Sequence, residues 1–432
     1  MRKSETSILL TNVRLLDPAS GLDGRGYLLV ADGRIAALGE GEAPAELAAA
    51  GSRQLDGGGG WLTPGLIDLH VHLREPGEEH KETIASGTAA AAAGGFTAVA
   101  CMPNTKPVND SAAITGQILA LAATAATRVY PVGAISQGSR GESLAPLGEM
   151  AAAGARAISD DGCPVSDSQL LRRALEYAGD HNLLLISHPE EVSLSRNGAM
   201  NEGEIATHLG LRGIPRVAEE IMIYRDLALA EYTGRPIHLA HVSTAEAVAL
   251  IRRAKARGVR VTAESAPHYF SLTEEAVGDY DTHAKMNPPL RTAADVAAIK
   301  TALADGTLDA IATDHAPHSM LEKDVEFDLA ANGIIGLESA LPLALALVRE
   351  EVISPLRLVE LLSTNPARIL GIPGGRLAVG EAADLTLIDP DRKFTFRAEQ
   401  LKSRSRNSPF LDWSMEGKAI LTIMAGRITH QE

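Results

Sequence analysis

Two histidines lie one residue apart at the end of an apolar run in the segment 66-LIDLHVHLREPG-77, and an arginine follows them closely. Because side chains alternate along a strand, His70 and His72 share one face, roughly 6.6 Å apart along the backbone. Imidazole nitrogens are common ligands of divalent metal ions. The spacing therefore predicts a metal-binding pair at the mouth of a buried strand, with Arg74 beside it.

Other residues of metal-ligand type stand at the ends of further predicted strands. They are Asp160, Asp161, His188, His241 and Asp314. Each of them alone is most often a hydrogen-bonded core or loop residue, but a set distributed over several strands is specific. Four imidazoles with carboxylates suit Zn²⁺, and Mn²⁺, Co²⁺ or Fe²⁺ are alternatives. The set is too large for one tetrahedral ion, so we expect two ions that hold a hydroxide and polarise a carbonyl, as amide hydrolysis requires.

The elements that must position these residues alternate between short apolar runs and Ala/Leu-rich helical stretches, the latter at 80–94 and 167–182 for example. We predict eight strands, at 66–72, 97–104, 128–136, 155–161, 183–188, 237–243, 259–265 and 308–315. Eight βα units predict an α/β fold of the TIM (β/α)8 barrel type. In such a barrel, functional residues gather at the carboxyl ends of the strands.

Both ends of the chain have a different pattern. Short alternating strands with turn signals fill residues 7–55, including a hairpin turn at Asp32 and Gly33, and strand patterns return after residue 375. We therefore predict a small β-sandwich domain formed by both termini. Its two parts, 1–60 and 366–432, flank a metal-dependent barrel domain at 61–365.

Composition narrows the class of protein. The 432 residues are 45% hydrophobic and carry a formal net charge of −15, which argues against nucleic-acid and anionic-membrane partners because both need basic surface. Two cysteines exclude a disulfide scaffold and fit a reducing compartment. The first residues, MRKSETSILLTNVRLL, lack the apolar run of a signal peptide, and no segment is apolar enough to span a membrane. We expect a cytoplasmic protein.

Six longer motifs carry a resemblance to a known family. They are 64-PGLIDLHVHLREPG-77, 102-MPNTKPV-108, 159-SDDG-162, 285-KMNPPLR-291, 313-TDHAPH-318 and 364-TNPARILG-371. With them the chain resembles the amidohydrolase superfamily, and within it the bacterial class I dihydroorotases, over nearly its whole length. The resemblance implies zinc-dependent, reversible hydrolysis of the cyclic amide of dihydroorotate to N-carbamoyl-L-aspartate, the third step of pyrimidine biosynthesis.

The resemblance also implies roles for the metal-ligand residues. His70 and His72 would bind one zinc ion with Asp314 beside them, and His188 and His241 would bind a second. Asp161 would bridge the two ions, with Asp160 as its rival. Many superfamily members bridge with a carboxylated lysine, which the segment ARAISDDG does not contain, as expected of class I. A bridging hydroxide would be the nucleophile, and Asp314 would be the general base and acid.

Substrate contacts follow from the same motifs. An arginine fork binds a planar carboxylate in bidentate fashion, so the resemblance assigns the dihydroorotate carboxylate to Arg74, Asn104 and Asn287. The alternatives are a surface ion pair of Arg74 with Glu75 or Glu78, and turn roles for the two asparagines. The ring would contact His318, Asn332 and Gly333, and His72 is also predicted to bind substrate. Asn332 stands where the family has an aromatic residue, so packing over the substrate is expected to differ there.

Two alternatives of different class remain. One is another cyclic amidase, such as a dihydropyrimidinase, hydantoinase or allantoinase. The other is a non-catalytic scaffold for aspartate carbamoyltransferase, which is disfavoured because every ligand position is filled. Active class I enzymes can also associate with that transferase, so it is a candidate partner, and we expect a homo-oligomer. Neither His268 nor His315 is assigned a metal-ligand role.

Overall fold

A parallel barrel forms the centre of the chain in the computed structural model, which describes residues 7–49 and 52–432. Each strand pairs with the next in sequence. An isolated bridge between Val71 and His315 joins the first strand to the chain that follows the last, so the barrel closes. The strands are β1 (Leu66–Val71), β2 (Phe96–Cys101), β3 (Arg128–Gly133), β4 (Ala157–Ile158), β5 (Leu184–Ser187), β6 (Ile237–Leu239), β7 (Val261–Ser265) and β8 (Ala310–Ile311). The predicted TIM barrel is confirmed.

Burial on both faces explains why these strands have continuous apolar sequences. Every residue of β1 and β2 is buried, which is typical of parallel sheets covered by helices. Small and branched side chains such as Ile67, Ala98 and Ala310 fill the barrel interior. Because the interior is packed with side chains, a site that binds a ligand is expected at the rim of the barrel.

Helices surround the barrel. The helix Ser168–Asp180 begins at Asp167, whose side chain accepts hydrogen bonds from the amides of Gln169 and Leu170. The predicted helix at 80–94 is confirmed as Ile84–Ala93, capped by Thr83. The remaining α-helices are Ala45–Ala49, Ala112–Leu121, Leu147–Ala153, Val192–Ser195, Glu204–Leu209, Val217–Thr233, Ala245–Ala256, Pro267–Ser271, Ala293–Asp305, Met320–Lys323, Ala340–Arg349, Pro355–Val359 and Asn365–Leu370. A π-helical turn, Glu360–Thr364, precedes the last of them.

A second sheet is built from both ends of the chain, as predicted. Its strands are Ile8–Asp17, Leu22–Ala31, Arg34–Glu40, Arg53–Asp56, Trp61–Pro64, Leu385–Thr395, Ser414–Met424 and Arg427–Gln431. Asp32 and Gly33 form the predicted two-residue turn, both with positive φ. The sheet has its own apolar core, in which Leu10 and Leu28 pack with Leu385. A short parallel pair, Met200–Asn201 with Gly213–Ile214, lies in the barrel region.

The division of the chain into 1–60, 61–365 and 366–432 stays a prediction. The strand Trp61–Pro64, which the prediction placed in the barrel domain, pairs with strands of the terminal sheet. Residues 1–6 of the segment judged for a signal peptide lie outside the described residues. Over the described ranges, every helix is too short or too polar to cross a bilayer.

Candidate metal centre

The six predicted metal ligands are buried together at the carboxyl ends of five barrel strands. They are His70, His72, Asp161, His188, His241 and Asp314. Asp68 on β1 fixes the edge at which they meet, because its Oδ1 accepts from the amides of both His70 and Thr313, at 3.1 and 3.0 Å. That pair of hydrogen bonds holds the end of β1 against the chain that leaves β8.

Asp161 lies at the centre of the cluster. Its Oδ1 is 3.3 Å from His70 Nε2, 3.3 Å from His188 Nδ1 and 3.5 Å from His241 Nε2. Its Oδ2 is 3.4 Å from His72 Nε2. One carboxylate therefore contacts all four imidazoles.

Asp314 faces only one half of the cluster. Its Oδ1 is 3.2 Å from His72 Nε2 and 3.5 Å from His70 Nε2. On the other side, His188 Nδ1 lies 2.8 Å from His241 Nε2. The cluster thus divides into two groups. One contains the imidazoles of His70 and His72 with the Asp314 carboxylate, the other contains the imidazoles of His188 and His241, and Asp161 contacts both groups.

Asp160, the rival of Asp161, turns away from the imidazoles. Its Oδ1 accepts from the backbone amides of Ile135 and Ser136 at 2.8 and 3.1 Å, and its Oδ2 accepts from the Ser136 hydroxyl. Asp160 therefore anchors the loop after β4 to the end of β3. That anchoring leaves only Asp161 of the pair facing the cluster.

The outer nitrogens of three imidazoles are held by oxygen atoms. Glu264 Oε1 lies 3.1 Å from His70 Nδ1, and Asn104 Oδ1 lies 2.7 Å from His72 Nδ1. Glu190 Oε2 lies 2.9 Å from His188 Nε2. Such partners fix the ring orientation and the tautomer of a metal-binding histidine, so that the inward nitrogen can offer its lone pair.

Charge in the cluster favours bound cations. Burial raises the pKa of Asp161, but the neighbouring His70 and hydrogen bonds from the imidazoles more than offset this and hold it well below its usual value. Burial lowers the pKa of His188, but hydrogen bonds with Asp161 and Glu190 raise it to about 10. The Asp161 carboxylate thus stays ionised near pH 7 and draws positive charge into the site.

The donor set fits divalent metal ions. His70 Nε2 is buried, has no hydrogen-bond partner among the described residues and faces the carboxylates of Asp161 and Asp314. The ligand atoms of His70, His72 and Asp314 lie within 4.8 Å of one another, as do those of His70, Asp161 and His241. Inward-facing imidazole nitrogens with ionised carboxylates are the ligands that Zn²⁺ and its neighbours prefer.

Three site residues hold a backbone conformation that side chains seldom adopt. Arg74, His241 and Asp314 have φ of 60°, 37° and 49°. Non-glycine residues with positive φ are uncommon and concentrate at functional sites. Each lies just beyond the end of a barrel strand, where the chain turns sharply and directs the side chain over the barrel mouth.

A cavity of about 250 Å³ opens over the cluster. Its lining includes the residues predicted for substrate contact, namely His72, Arg74, Asn104, Asn287, His318, Asn332 and Gly333. The structure therefore brings together every residue that the sequence predicted for the site. His318 Nε2 lies 2.8 Å from the carbonyl oxygen of Asn332, which joins two sides of the cavity.

Arg74 is a buried cation at the cavity wall, 8% exposed. Its Nε donates to the carbonyl oxygen of Pro317 at 3.2 Å. The alternative ion pairs with Glu75 and Glu78 are not formed, because Glu75 accepts from the amide of Ile84 and Glu78 is held by two lysines. Within the described chain, Arg74 has no carboxylate at ion-pair distance, so its charge is available to an anionic ligand.

The two asparagines make contacts that the sequence did not predict. Asn104 Oδ1 is engaged with His72 Nδ1, and Asn287 Nδ2 donates to Glu190 Oε2 at 3.0 Å. Both side chains still line the cavity, and each amide keeps a further N–H for a ligand. They combine support of the imidazole cluster with a position beside the substrate cavity.

Glu190 and Glu264 were missed by sequence reasoning. Glu264 holds His70 and also lies 3.1 Å from His238 Nε2. Its signal was a carboxylate inside the otherwise apolar strand 259-VRVTAES-265, since buried carboxylates need partners. The signal for Glu190 was its place two residues after His188, on the loop that leaves the same strand.

The remaining histidines near the rim have local partners. His315 Nε2 lies 3.3 Å from Glu82 Oε2, and His315 Nδ1 accepts from the amide of Gly336 at 3.1 Å. The ring of His268 packs against Tyr269 with centroids 4.2 Å apart. Burial lowers the pKa of His268 to about 4, so its ring is neutral near pH 7.

Comparison with known proteins identifies the class first. A family profile described as "Amidohydrolase family" matches residues 209–430, and one described as "Dihydro-orotase-like" matches residues 59–247. An L-hydantoinase (dihydropyrimidinase) from Arthrobacter aurescens superposes with a TM-score of 0.88 at 25% identity, over 98% of this chain and 96% of that one. A D-hydantoinase from Thermus sp. superposes with a TM-score of 0.82 at 23% identity, which supports the fold. The chain is a metal-dependent amidohydrolase.

Sequence relatives identify the family within that class. A dihydroorotase of Syntrophotalea carbinolica is 58% identical over 98% of this chain and 99% of its own length. A dihydroorotase of Desulfotalea psychrophila is 62% identical over 85% of this chain and 87% of its own length. The chain belongs to the dihydroorotase family.

Proposed function

We propose that this chain hydrolyses the cyclic amide of dihydroorotate reversibly to N-carbamoyl-L-aspartate, in pyrimidine biosynthesis in the cytoplasm. The observation that carries the proposal is the buried Arg74 guanidinium, which faces the cavity without a carboxylate partner among the described residues. Dihydroorotate carries a carboxylate that this group can bind, whereas dihydrouracil and hydantoin do not. Membership of the dihydroorotase family supports the same substrate.

We propose two zinc ions as the resident metals, with Mn²⁺, Co²⁺ or Fe²⁺ as alternatives. His70, His72 and Asp314 would hold one ion, His188 and His241 the other, and Asp161 would contact both. When bound, such a pair activates a water molecule for attack and polarises an amide carbonyl. The division of the ligands into two groups around Asp161 supports this assignment.

The chain's own residues would orient the substrate. Arg74 binds the dihydroorotate carboxylate, assisted by the free amide N–H groups of Asn104 and Asn287. His318 and the backbone of Asn332 and Gly333 contact the ring. Fixing the ring in this way holds the scissile amide next to the buried carboxylates, which lowers the entropic part of the barrier.

Asp314 would move the proton. Its carboxylate takes a proton from the attacking water and delivers it to the ring nitrogen as the C–N bond breaks. In the reverse direction, Asp314 takes the proton from the ureido nitrogen as that nitrogen attacks the carboxyl carbon. Asp314 returns this proton to the carboxyl oxygen as the C–O bond breaks, and with one more proton from solvent the oxygen leaves as water. Ring closure consumes one proton overall, so lower pH favours cyclisation.

A substrate panel tests the proposed function. The zinc-loaded protein should hydrolyse dihydroorotate and cyclise N-carbamoyl-L-aspartate, with little turnover of dihydrouracil, hydantoin or allantoin. Chelation should abolish turnover and zinc should restore it. Faster turnover of hydantoin or dihydrouracil would favour the second candidate function, that of a hydantoinase. The close superposition with an L-hydantoinase is the observation behind this candidate. Protein that binds no stoichiometric metal and turns over no substrate would favour the scaffold role.

A shape-conserving change that removes a charge behind the cluster tests the metal assignment. We expect Glu264→Gln to weaken zinc affinity by about 10–100-fold, because a ligand-orienting carboxylate is lost behind His70. Competition with a chelator measures the affinity. Glu82→Gln is the matched control, since Glu82 is also buried but contacts His315, which is not a predicted ligand. Equal zinc affinity in Glu264→Gln and the unaltered protein would contradict the role.

Association with partners is part of the proposal. We propose a homo-oligomer, with aspartate carbamoyltransferase as a candidate partner, because N-carbamoyl-L-aspartate is the product of that transferase. Size-exclusion chromatography with light scattering, with and without the transferase, measures both properties.

A further inference from the structure

Asn407 belongs to the C-terminal segment that follows the barrel, yet its buried side chain joins two loops of the candidate cavity. Its Nδ2 donates to the carbonyl oxygens of Ala316 and Gly333, at 2.9 and 3.0 Å. Its Oδ1 accepts from the amide of His318 at 3.0 Å. Its backbone carbonyl accepts from the amide of Ile335 at 2.9 Å. One residue therefore satisfies four main-chain groups.

The two loops held by Asn407 are the segments 316–318 and 332–335. Residues of both line the cavity. They also contact each other, because the amide of Ala316 donates to the carbonyl oxygen of Ile334 at 2.7 Å. The position of one loop therefore fixes that of the other, and with it the shape of the cavity.

Gly333 shows how closely the loops approach. Its φ is 120°, which side chains rarely adopt, and a Cβ added there would lie 2.5 Å from the Cβ of Ala316. The gap between the loops therefore has no room for a side chain. A shift of either loop would break the hydrogen bonds that Asn407 makes across the gap.

A second buried donor holds the same carbonyl oxygen. Lys323 Nζ lies 3.1 Å from the carbonyl oxygen of Gly333 and 2.7 Å from that of Ala331. Lys323 is 1% exposed. The backbone of the segment 332–335 is thus held by two buried side chains: Lys323, which is close in sequence, and Asn407 of the C-terminal segment.

We propose that Asn407 is a positioning residue, which sets the spacing of the segments 316–318 and 332–335 and thereby the affinity for substrate. This inference rests on the proposed function for the identity of the substrate. Hydrogen bonds of Asn407 in the described chain reach none of the six predicted metal ligands. Its loss should therefore weaken binding of substrate and transition state equally, which raises KM and leaves kcat.

Steady-state kinetics test the proposal. Asn407→Asp keeps the shape of the side chain but removes both N–H donors, so KM for dihydroorotate should rise about tenfold with kcat within about threefold of the unaltered enzyme. Asn365→Asp is the matched control, because Asn365 is also buried and donates to the carbonyl of Asp309, just before β8 at the opposite end of the barrel. A residue needed only for folding would lower the active fraction, and hence apparent kcat, without changing KM.

Amide hydrogen exchange supplies a readout that does not depend on turnover. Exchange in 316–318 and 332–335 should be faster in Asn407→Asp than in the unaltered protein, and unchanged there in Asn365→Asp. An unaltered enzyme that does not process dihydroorotate refutes the proposed function, and the exchange result still decides the positioning role. Unchanged exchange in both segments, or an unchanged KM in an active enzyme, overturns the inference.

Discussion

Asp314→Ala should lower turnover of dihydroorotate by more than about 10³-fold, within the range that general acid–base groups contribute. Burial raises the pKa of Asp314, but the neighbouring His70 and a hydrogen bond with His72 lower it below its usual value. The carboxylate is therefore ionised near neutral pH and can accept the proton of the attacking water. The variant removes that acceptor, and both directions of the reaction should slow equally.

Two measurements separate loss of the proton carrier from loss of the fold. Zinc content of Asp314→Ala and Asp314→Asn reports whether the cluster still binds metal. Asp295→Asn is the control for a buried aspartate, since Asp295 lies in the capping box of the helix Ala293–Asp305. Its side chain accepts from the backbone amide of the N-cap residue Thr292, and its loss should cost about 1 kcal/mol of stability with little effect on kcat. Activity of a metal-loaded Asp314→Ala within about tenfold of the unaltered enzyme would remove Asp314 from proton transfer.

The barrel could be predicted because short apolar runs, one for each strand, alternate along the chain with helical stretches. All eight predicted strands are present in order, but β4 and β8 are much shorter than predicted. In both cases the chain turns early: Asp160 binds back to Ile135 and Ser136, and Asp314 adopts a positive φ. Sequence periodicity does not record such turns. They are, however, what brings the acidic side chains to the barrel mouth.

The candidate ligands could be predicted for a different reason. Histidine and aspartate at the carboxyl ends of several strands share one rim whatever the loop geometry, because all the strands are parallel. The supporting contacts depend on side-chain directions across the barrel, such as that of Glu264 to His70, 194 positions apart. Asn407 contacts the loops of the cavity from outside the barrel sequence altogether. No local pattern predicts either contact.

Arg74 offers the largest predicted effect on substrate selection. Arg74→Met should lower kcat/KM for dihydroorotate by about 10²-fold, corresponding to about 3 kcal/mol, which is typical when one partner of a buried charge pair is truncated. Arg74→Lys keeps the charge but loses the planar fork, so it should recover only part of the loss. Steady-state assays of both variants, with zinc content as the control for an intact cluster, measure the effect.

The methyl ester of dihydroorotate isolates the charge interaction. The ester lacks the negative charge, so Arg74→Met should reduce its kcat/KM far less than that of the acid, and the preference for the acid should collapse. Burial already lowers the pKa of the Arg74 guanidinium, which reflects the cost of holding this charge in the cavity wall without a close carboxylate partner in the described chain. Substrate binding would offset that cost, because it supplies the missing anion. Equal losses for acid and ester would instead mean that Arg74 acts through the backbone of Pro317, to which its Nε donates, and supports the loop rather than the substrate.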